Sequence, residues 1–542
     1  MIGIRPPAAI AMTLFSIGLL CLGTTLAQAQ ETRPNILLIV ADDLGYADLG
    51  AYGSDIRTPN IDALAGRGVL FTQFHASPLC ATTRAMLLSG NNNHVAGLGR
   101  QGSYAGPHIP GLAGYENTLS DRVARLPQLL RTAGYRTYMA GKWHLGETLD
   151  HSPHAAGFDR SFAMKFGAGN HFDDTGIRES GPKYFDDNSE TGWPEGEYST
   201  EFYTDKLIEY LEADRDSERP FFMLAAYTSP HWPLQVPDED LHLYAGRYDA
   251  GYDRQRELNF ESLKRAGIVP AESRLPPRNP NIRPFAELSR AEQRREARKM
   301  ELYAAMVENL DRHVGRLLDH LRRSGQYDNT LILFMSDNGA AAEDFYYAGP
   351  FVDYIQAHYD DSLERMGQRG NYVSYGPQWA EASSAPYRLY KGFPSEGGMV
   401  APLIVAGAGV QRRGVKTDAY VTVTDLLPTF LEVSGARYPA DKAQPIGESA
   451  AAFLAGRAER VHGDDYVTTL AYNQRAYVRQ GDWKLMTLEQ PFDERDFALY
   501  DLARDPGEVE DLSARYPERR AALLELWRRE RLRFGITLPE DL

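Results

Sequence analysis

Uninterrupted apolar runs recur along the chain and each stops abruptly at polar residues: 35–40 (Asn-Ile-Leu-Leu-Ile-Val), 221–227, 330–335 (Thr-Leu-Ile-Leu-Phe-Met) and 403–406. Runs of this length without polar alternation are the pattern of strands buried on both faces of a parallel sheet. Stretches 69–74 and 135–140 are further predicted strands. Between them apolar positions return at helical spacing, most clearly over 301–323, where Tyr303, Met306, Val307, Leu310, Val314, Leu317, Leu318 and Leu321 form one stripe. Shorter helices are predicted at 58–65, at 127–133 with Gly134 just beyond, and at 425–433. Another is predicted from Thr82, with threonines to cap its first turn and Gly90 to end it. Past about 466 the text changes to short strands with turns (476–479, 483–487) and a final Arg/Glu-rich helix, 517–534, whose charges read as a solvated face. The pattern therefore predicts an α/β chain: a large mixed, mostly parallel sheet sandwiched by helices over 30–460, then a small C-terminal antiparallel-sheet α+β subdomain over 461–542.

What stands at the ends of the predicted strands is chemical. The first strand runs into Asp42-Asp43, the one ending at 335 into Asp337-Asn338, and the one ending at 227 into Ser229-Pro230-His231. Paired carboxylates at a strand end are costly without a compensating positive charge, and hard oxygen ligands suit Ca²⁺ or Mg²⁺. The C-terminal ends of strands are also where open α/β sheets place ligands. After 135–140 comes Gly-Lys142-Trp-His144-Leu-Gly, where extended chain would turn Lys142 and His144 to the same side. Cys80 stands at the start of the helix predicted from Thr82, with Arg84 one turn on; that arrangement suits an anion, although a buried cysteine there also reads as a small hydrophobe. Lys391 lies in a Lys-Gly loop followed by Glu396-Gly-Gly. Segments 150–197 and 234–284 read as long loops and an insertion, and Tyr248, Tyr252, Tyr346, Tyr347 and Tyr354 are expected to wall a cleft for a ring-bearing ligand.

Composition narrows the setting. A formal net charge of −16 argues against a nucleic-acid partner. Arg5, an apolar run from Ala8 to Leu20 and the small-residue site Ala27-Gln28-Ala29 read as a cleavable secretory signal over 1–29, which implies a periplasmic or secreted protein with no stable membrane partner. The chain has 2 cysteines, and Cys21 falls in that signal. Cleavage would leave Cys80 as a lone thiol, with no disulfide open to it.

These motifs resemble, in order and over nearly the whole chain after 29, those of type I sulfatases, in the bacterial arylsulfatase branch of the alkaline phosphatase superfamily. Cys80, Thr83, Arg84, Leu87, Ser89 and Gly90 match the signature of that family, and Thr82 stands where the family has proline or sometimes alanine. The resemblance implies hydrolysis of a small-molecule sulfate monoester. It implies that a formylglycine-generating enzyme oxidises Cys80 to an aldehyde whose hydrate is the nucleophile. Asp42, Asp43, Asp337, Asn338 and modified Cys80 would hold one divalent cation, Ca²⁺ ahead of Mg²⁺. Arg84, Lys142 and Lys391 would neutralise sulfate, His231 or Lys391 would protonate the leaving oxygen, and His144 would take the second hydroxyl's proton. Two other readings use the same residues: a phosphate or phosphonate monoester hydrolase of the superfamily, and a secreted binding protein with unmodified Cys80.

Overall fold

The computed structural model describes residues 1–3, 33–100 and 111–538; the expected signal, its cleavage site and Cys21 lie outside them. Pro34–Leu542 forms one compact unit by its contacts. Its centre is a ten-stranded sheet in the order β11-β2-β10-β9-β1-β8-β4-β5-β6-β7. The strands are β1 (Asn35–Ala41), β2 (Val69–Phe71), β4 (Arg136–Lys142), β5 (Arg160–Met164), β6 (Tyr184–Asp186), β7 (Ser189–Thr191), β8 (Phe221–Ala226), β9 (Thr330–Ser336), β10 (Leu403–Gly407) and β11 (Val415–Thr417). From β9 through β1, β8 and β4 to β5 every pairing is parallel. The edges turn antiparallel at β10, β6 and β7.

The apolar runs explain this placement. Along β1, Leu37, Ile39 and Ala41 pack into one core while Ile36, Leu38 and Val40 pack into another on the opposite face. The first core takes Tyr303, Met306, Leu310, Val314 and Leu317 from the helix Arg290–Arg323, and the second takes Leu87 and Leu88 from Cys80–Ser89 and Leu427 and Phe430 from Leu426–Ser434. Each such leucine contributes roughly 1.5–3 kcal/mol by burial. The C-terminal sheet β13-β14-β15-β16 (Val467–Tyr472, Arg475–Gln480, Trp483–Thr487, Ala498–Asp501) is antiparallel. The helix Pro517–Phe534 packs on it through Leu523 and Trp527, so its charges cover only part of its surface.

Several expectations need correction. The strand over 69–74 is two strands in different sheets, β2 and β3 (Phe74–His75), the latter paired with β12 (Val421–Thr422). The long helix begins at Arg290, with Ser289 and Glu292 forming a capping box; the charged first turns carry no apolar stripe to reveal it. Segment 150–197 contains β5, β6 and β7, and the insertion contains the helix Gly251–Arg265. Tyr248 and Tyr252 do not wall a cleft. They are buried against Trp379, with ring centroids 5.9 and 5.8 Å away. Among the described residues no helix is long and apolar enough to cross a membrane.

Candidate active site

Parallel pairing in register brings the ends of β9, β1, β8 and β4 side by side, and the predicted chemical residues meet there. The helix Cys80–Ser89 points its N-terminus at them. It starts at Cys80 rather than Thr82, behind an extended Leu79 that makes no side-chain cap. The threonines act inside the first turn: Thr82 Oγ1 donates to the Leu79 carbonyl at 2.8 Å, and Thr83 Oγ1 accepts from the Ser77 N–H at 2.8 Å. Gly90, at φ 66°, ends the helix as expected.

Asp43 is the hub. Its backbone sits at φ 66°, a conformation unfavourable for a non-glycine residue, and its N–H donates to Asp337 Oδ1 at 3.2 Å. Lys391 Nζ donates to its Oδ2 at 2.8 Å, His231 Nε2 lies 3.3 Å from the same oxygen, and Cys80 Sγ lies 3.6 Å from Oδ1. Lys142 Nζ donates to both oxygens of Asp42, at 2.8 and 2.7 Å. Arg84 donates to Asp337 Oδ2 (2.8 and 3.2 Å) and to the Lys142 carbonyl (2.7 Å). All these side chains are buried.

Burial sets the electrostatics. It pushes the Asp42 carboxyl up to about 8 against the pull of Lys142, and Asp337 and Asp43 add to the rise. It also drives the Cys80 thiol well up. His231 and His144 are pushed well below the usual histidine range, first by burial and then by neighbouring Lys391 and Lys142 respectively. Burial disfavours the Lys391 ammonium too, yet Asp43, Cys80, Glu343 and Asp42 together outweigh it and hold the amine charged. His171, pushed by burial down to about 4, supports His231 from behind, with Nε2 3.1 Å from the His231 carbonyl.

A cavity of about 300 Å³ opens over this cluster. Leu79, Ala81, His144, His231 and Lys391 reach its wall, whereas Arg84 and Lys142 stand behind it. Lys142 ends β4, and His144, at φ 61°, breaks the extended alternation from which their convergence is predicted, yet the Lys142 ammonium stays near enough to depress the His144 ring. Two glycines permit this. A Cβ on Gly141 (φ 120°) would come within 1.7 Å of the Ala226 carbonyl, and one on Gly167 within 2.3 Å of the His144 ring. Residues that sequence reasoning missed include Glu343 and Phe345, past the Asp337-Asn338 motif, and Tyr472, Asn473 and Arg475 from the β13–β14 hairpin. No motif or spacing ties these distant segments to the site.

The comparisons agree with this geometry. A family model described as Sulfatase matches residues 34–436. The chain belongs to the sulfatase family. It is a sulfuric ester hydrolase, 37% identical over 413 residues to an arylsulfatase of Klebsiella aerogenes, covering 75% of this chain and 88% of that one. It is 39% identical over 544 residues to a Schizosaccharomyces pombe protein named uncharacterized sulfatase PB10D8.02c, covering 95% and 96% of the two chains. Among solved structures, Ps i-CgsB in complex with k-i-k-neocarrahexaose aligns over 94% of each chain at 25% identity and a TM-score of 0.65. A phosphonate monoester hydrolase of Agrobacterium radiobacter shares the fold at 20% identity and a TM-score of 0.57.

The sulfatase's residues fit a divalent cation. Ligand atoms of Asp42, Asp43, Cys80 and His231 all lie within 4.8 Å of one another. Asn338 donates from Nδ2 to Asp43 Oδ1 (2.6 Å) and to the Gly339 carbonyl (2.9 Å), while its Oδ1 is buried with no partner. A buried amide oxygen without a donor, beside crowded carboxylates, is the environment a hard cation satisfies.

Proposed function

We propose that this sulfatase hydrolyses aryl-type sulfate monoesters through a formylglycine made from Cys80, beside one divalent cation, Ca²⁺ ahead of Mg²⁺, held by Asp42, Asp43, Asp337, Asn338 and residue 80. The observation that carries the reading is the Asn338 amide, whose Nδ2 donates to a carboxylate cluster that touches Cys80 and whose buried Oδ1 has no partner. When bound, the cation supplies positive charge that neutralises sulfate oxygens and lowers the cost of deprotonating a nearby hydroxyl. The hydrated aldehyde at position 80 supplies an attacking hydroxyl and a second hydroxyl through which sulfate is released.

The chain's own residues divide the remaining work. Arg84 and Lys142 hold Asp337 and Asp42 in place and add positive potential behind the sulfate. Lys391, kept charged chiefly by Asp43, and His231 border the cavity 3.5 Å apart, where a leaving oxygen takes up a proton. The His231 Nδ1 lies 2.7 Å from the Trp232 carbonyl, which leaves Nε2 toward Lys391. His144, neutral and with Nδ1 unpartnered, is poised to accept a proton on the nucleophile's side. Trp232 and Phe345, edge to face at 5.1 Å, give the cavity an aromatic wall for the organic group.

Specificity constants for phenyl sulfate, a carbohydrate sulfate and phenyl phosphate test the reading, with preference in that order expected. A clear preference for the phosphate would overturn it. The export reading of 1–29 is tested by N-terminal sequencing, with a start near Gln30 expected and an intact Met1 contradicting it.

A further inference from the structure

We propose that Glu343 selects sulfate esters whose leaving alcohol carries a second hydroxyl next to the sulfated one. The inference rests on the sulfate-ester reading and goes beyond it, because that chemistry uses Glu343 only as a charged neighbour of Lys391. Its carboxylate is about 30% exposed and lines the cavity. Oε1 lies 3.6 Å from Lys391 Nζ, beyond hydrogen-bond distance, and Oε2 is buried with no partner. A carboxylate bordering an anion site repels the substrate's sulfate, so its position there is a cost unless it makes a compensating contact.

Its location says what that contact is. Lys391 stands between Glu343 and Asp43, 3.5 Å from His231, on the side where the alcohol departs. Glu343 therefore faces the organic group beyond the scissile oxygen. An ionised carboxylate is acceptor-only and calls for a donor from the ligand. An ammonium would serve in principle, yet Lys165, Arg178, Lys391 and Arg475 line the same cavity against Glu147 and Glu343, and that balance disfavours a cation. A neutral hydroxyl is left, and the Trp232–Phe345 wall seats the ring that bears it.

The test is a matched pair, 2-hydroxyphenyl sulfate and phenyl sulfate, assayed on aldehyde-bearing enzyme. The wild type is expected to prefer the hydroxylated ester in kcat/KM by roughly tenfold or more, the scale of one hydrogen bond to a charged acceptor. Glu343→Leu lowers both activities, since Lys391 loses a neighbour, but brings the ratio to about one. Glu343→Gln, nearly isosteric, lowers the ratio by roughly threefold or more and decides the matter should the leucine variant not fold. Calorimetric binding of catechol against phenol gives a readout free of turnover, with the preference present in the wild type and lost in the variants. Turnover of both esters with a ratio unchanged by either variant, or no wild-type preference, refutes the role of Glu343 alone. Turnover of neither ester by the wild type refutes the sulfate-ester reading, and this inference with it.

Discussion

Two of the buried charge clusters among the described residues of this sulfatase do opposite things with the same residue types. One is the site, where Asp42, Asp43 and Asp337 face Lys142, Arg84 and Lys391. The other joins β3 and the short helix Glu396–Met399 to the C-terminal sheet: Lys484 Nζ reaches Glu396 at 2.7 Å and Glu508 at 2.6 Å, and His75 Nε2 lies 2.7 Å from Glu396. Arg479 completes it, 3.0 Å from His75. Neither Glu396, Lys484 nor Glu508 borders the cavity. Burial and ion pairing are common to both, so they do not mark function. The site differs in its open cavity, its partnerless Asn338 oxygen and the left-handed backbone at Asp43 and His144. The second cluster is a seam, and the first is a socket.

The largest contrast is expected from removing one charge in each. Asp42→Asn should cut kcat by roughly a thousandfold or more, the scale on which electrostatic stabilisation acts, and should abolish the rise in melting temperature on adding Ca²⁺. Full activity in a chelator would break the contrast. Lys484→Met should instead cost about 3–5 kcal/mol of stability, because it strands Glu396 and Glu508 in the interior. The enzyme that remains folded should keep its kcat. Denaturant unfolding and active-site titration on one preparation measure both effects.

The clusters should also respond to pH in opposite directions. Asp42 is raised from 3.8 to about 8 in the metal-free fold, so the stability linked to its proton is present below about 4 and is lost as pH rises toward 8. Glu396, though burial opposes its charge, is held well below its ordinary 4.5 by Lys484 and His75; its contribution is present above that value and is lost as pH falls through its depressed one. Metal-free Asp42→Asn should therefore gain on the wild type by a few kcal/mol between pH 4 and 8, a gap that saturating Ca²⁺ closes. A pH-independent gap would show that Asp42 holds no proton.

The smallest effect concerns Thr82. Its hydroxyl bonds the Leu79 carbonyl and the Ser77 hydroxyl, two neutral hydrogen bonds, and proline suits the first turn of a helix, so Thr82→Pro should change stability by no more than about 2 kcal/mol. It should raise the aldehyde fraction at Cys80, which peptide mass spectrometry reads directly. An unchanged fraction would show that threonine is no handicap to the modifying enzyme.

What the sequence made legible follows from this contrast. Continuous apolar runs predict β1, β8, β9 and β10 because both faces of those strands are buried, and the residues at their ends need no long-range information to be noticed. Lys484 and Glu508 gave no such signal, since their partner Glu396 lies far away in the chain. Glu343 and Arg475 were invisible for the same reason. Tyr248 and Tyr252 misled because an aromatic in a Gly- and Pro-rich stretch looks like a cleft wall until Trp379, from another segment, buries it. His144 shows the limit of local geometry, for its positive φ undoes the alternation that extended chain predicts.

Whether residue 80 acts as an aldehyde is decided by quantifying the Cys80 peptide by mass spectrometry and turnover per molecule on the same preparations, across a series of modification levels. Turnover proportional to the aldehyde fraction, and none from Cys80→Ala with its fold and Ca²⁺ binding retained, is the expected result. Substantial turnover from a fully unmodified Cys80 population would contradict it and require another nucleophile.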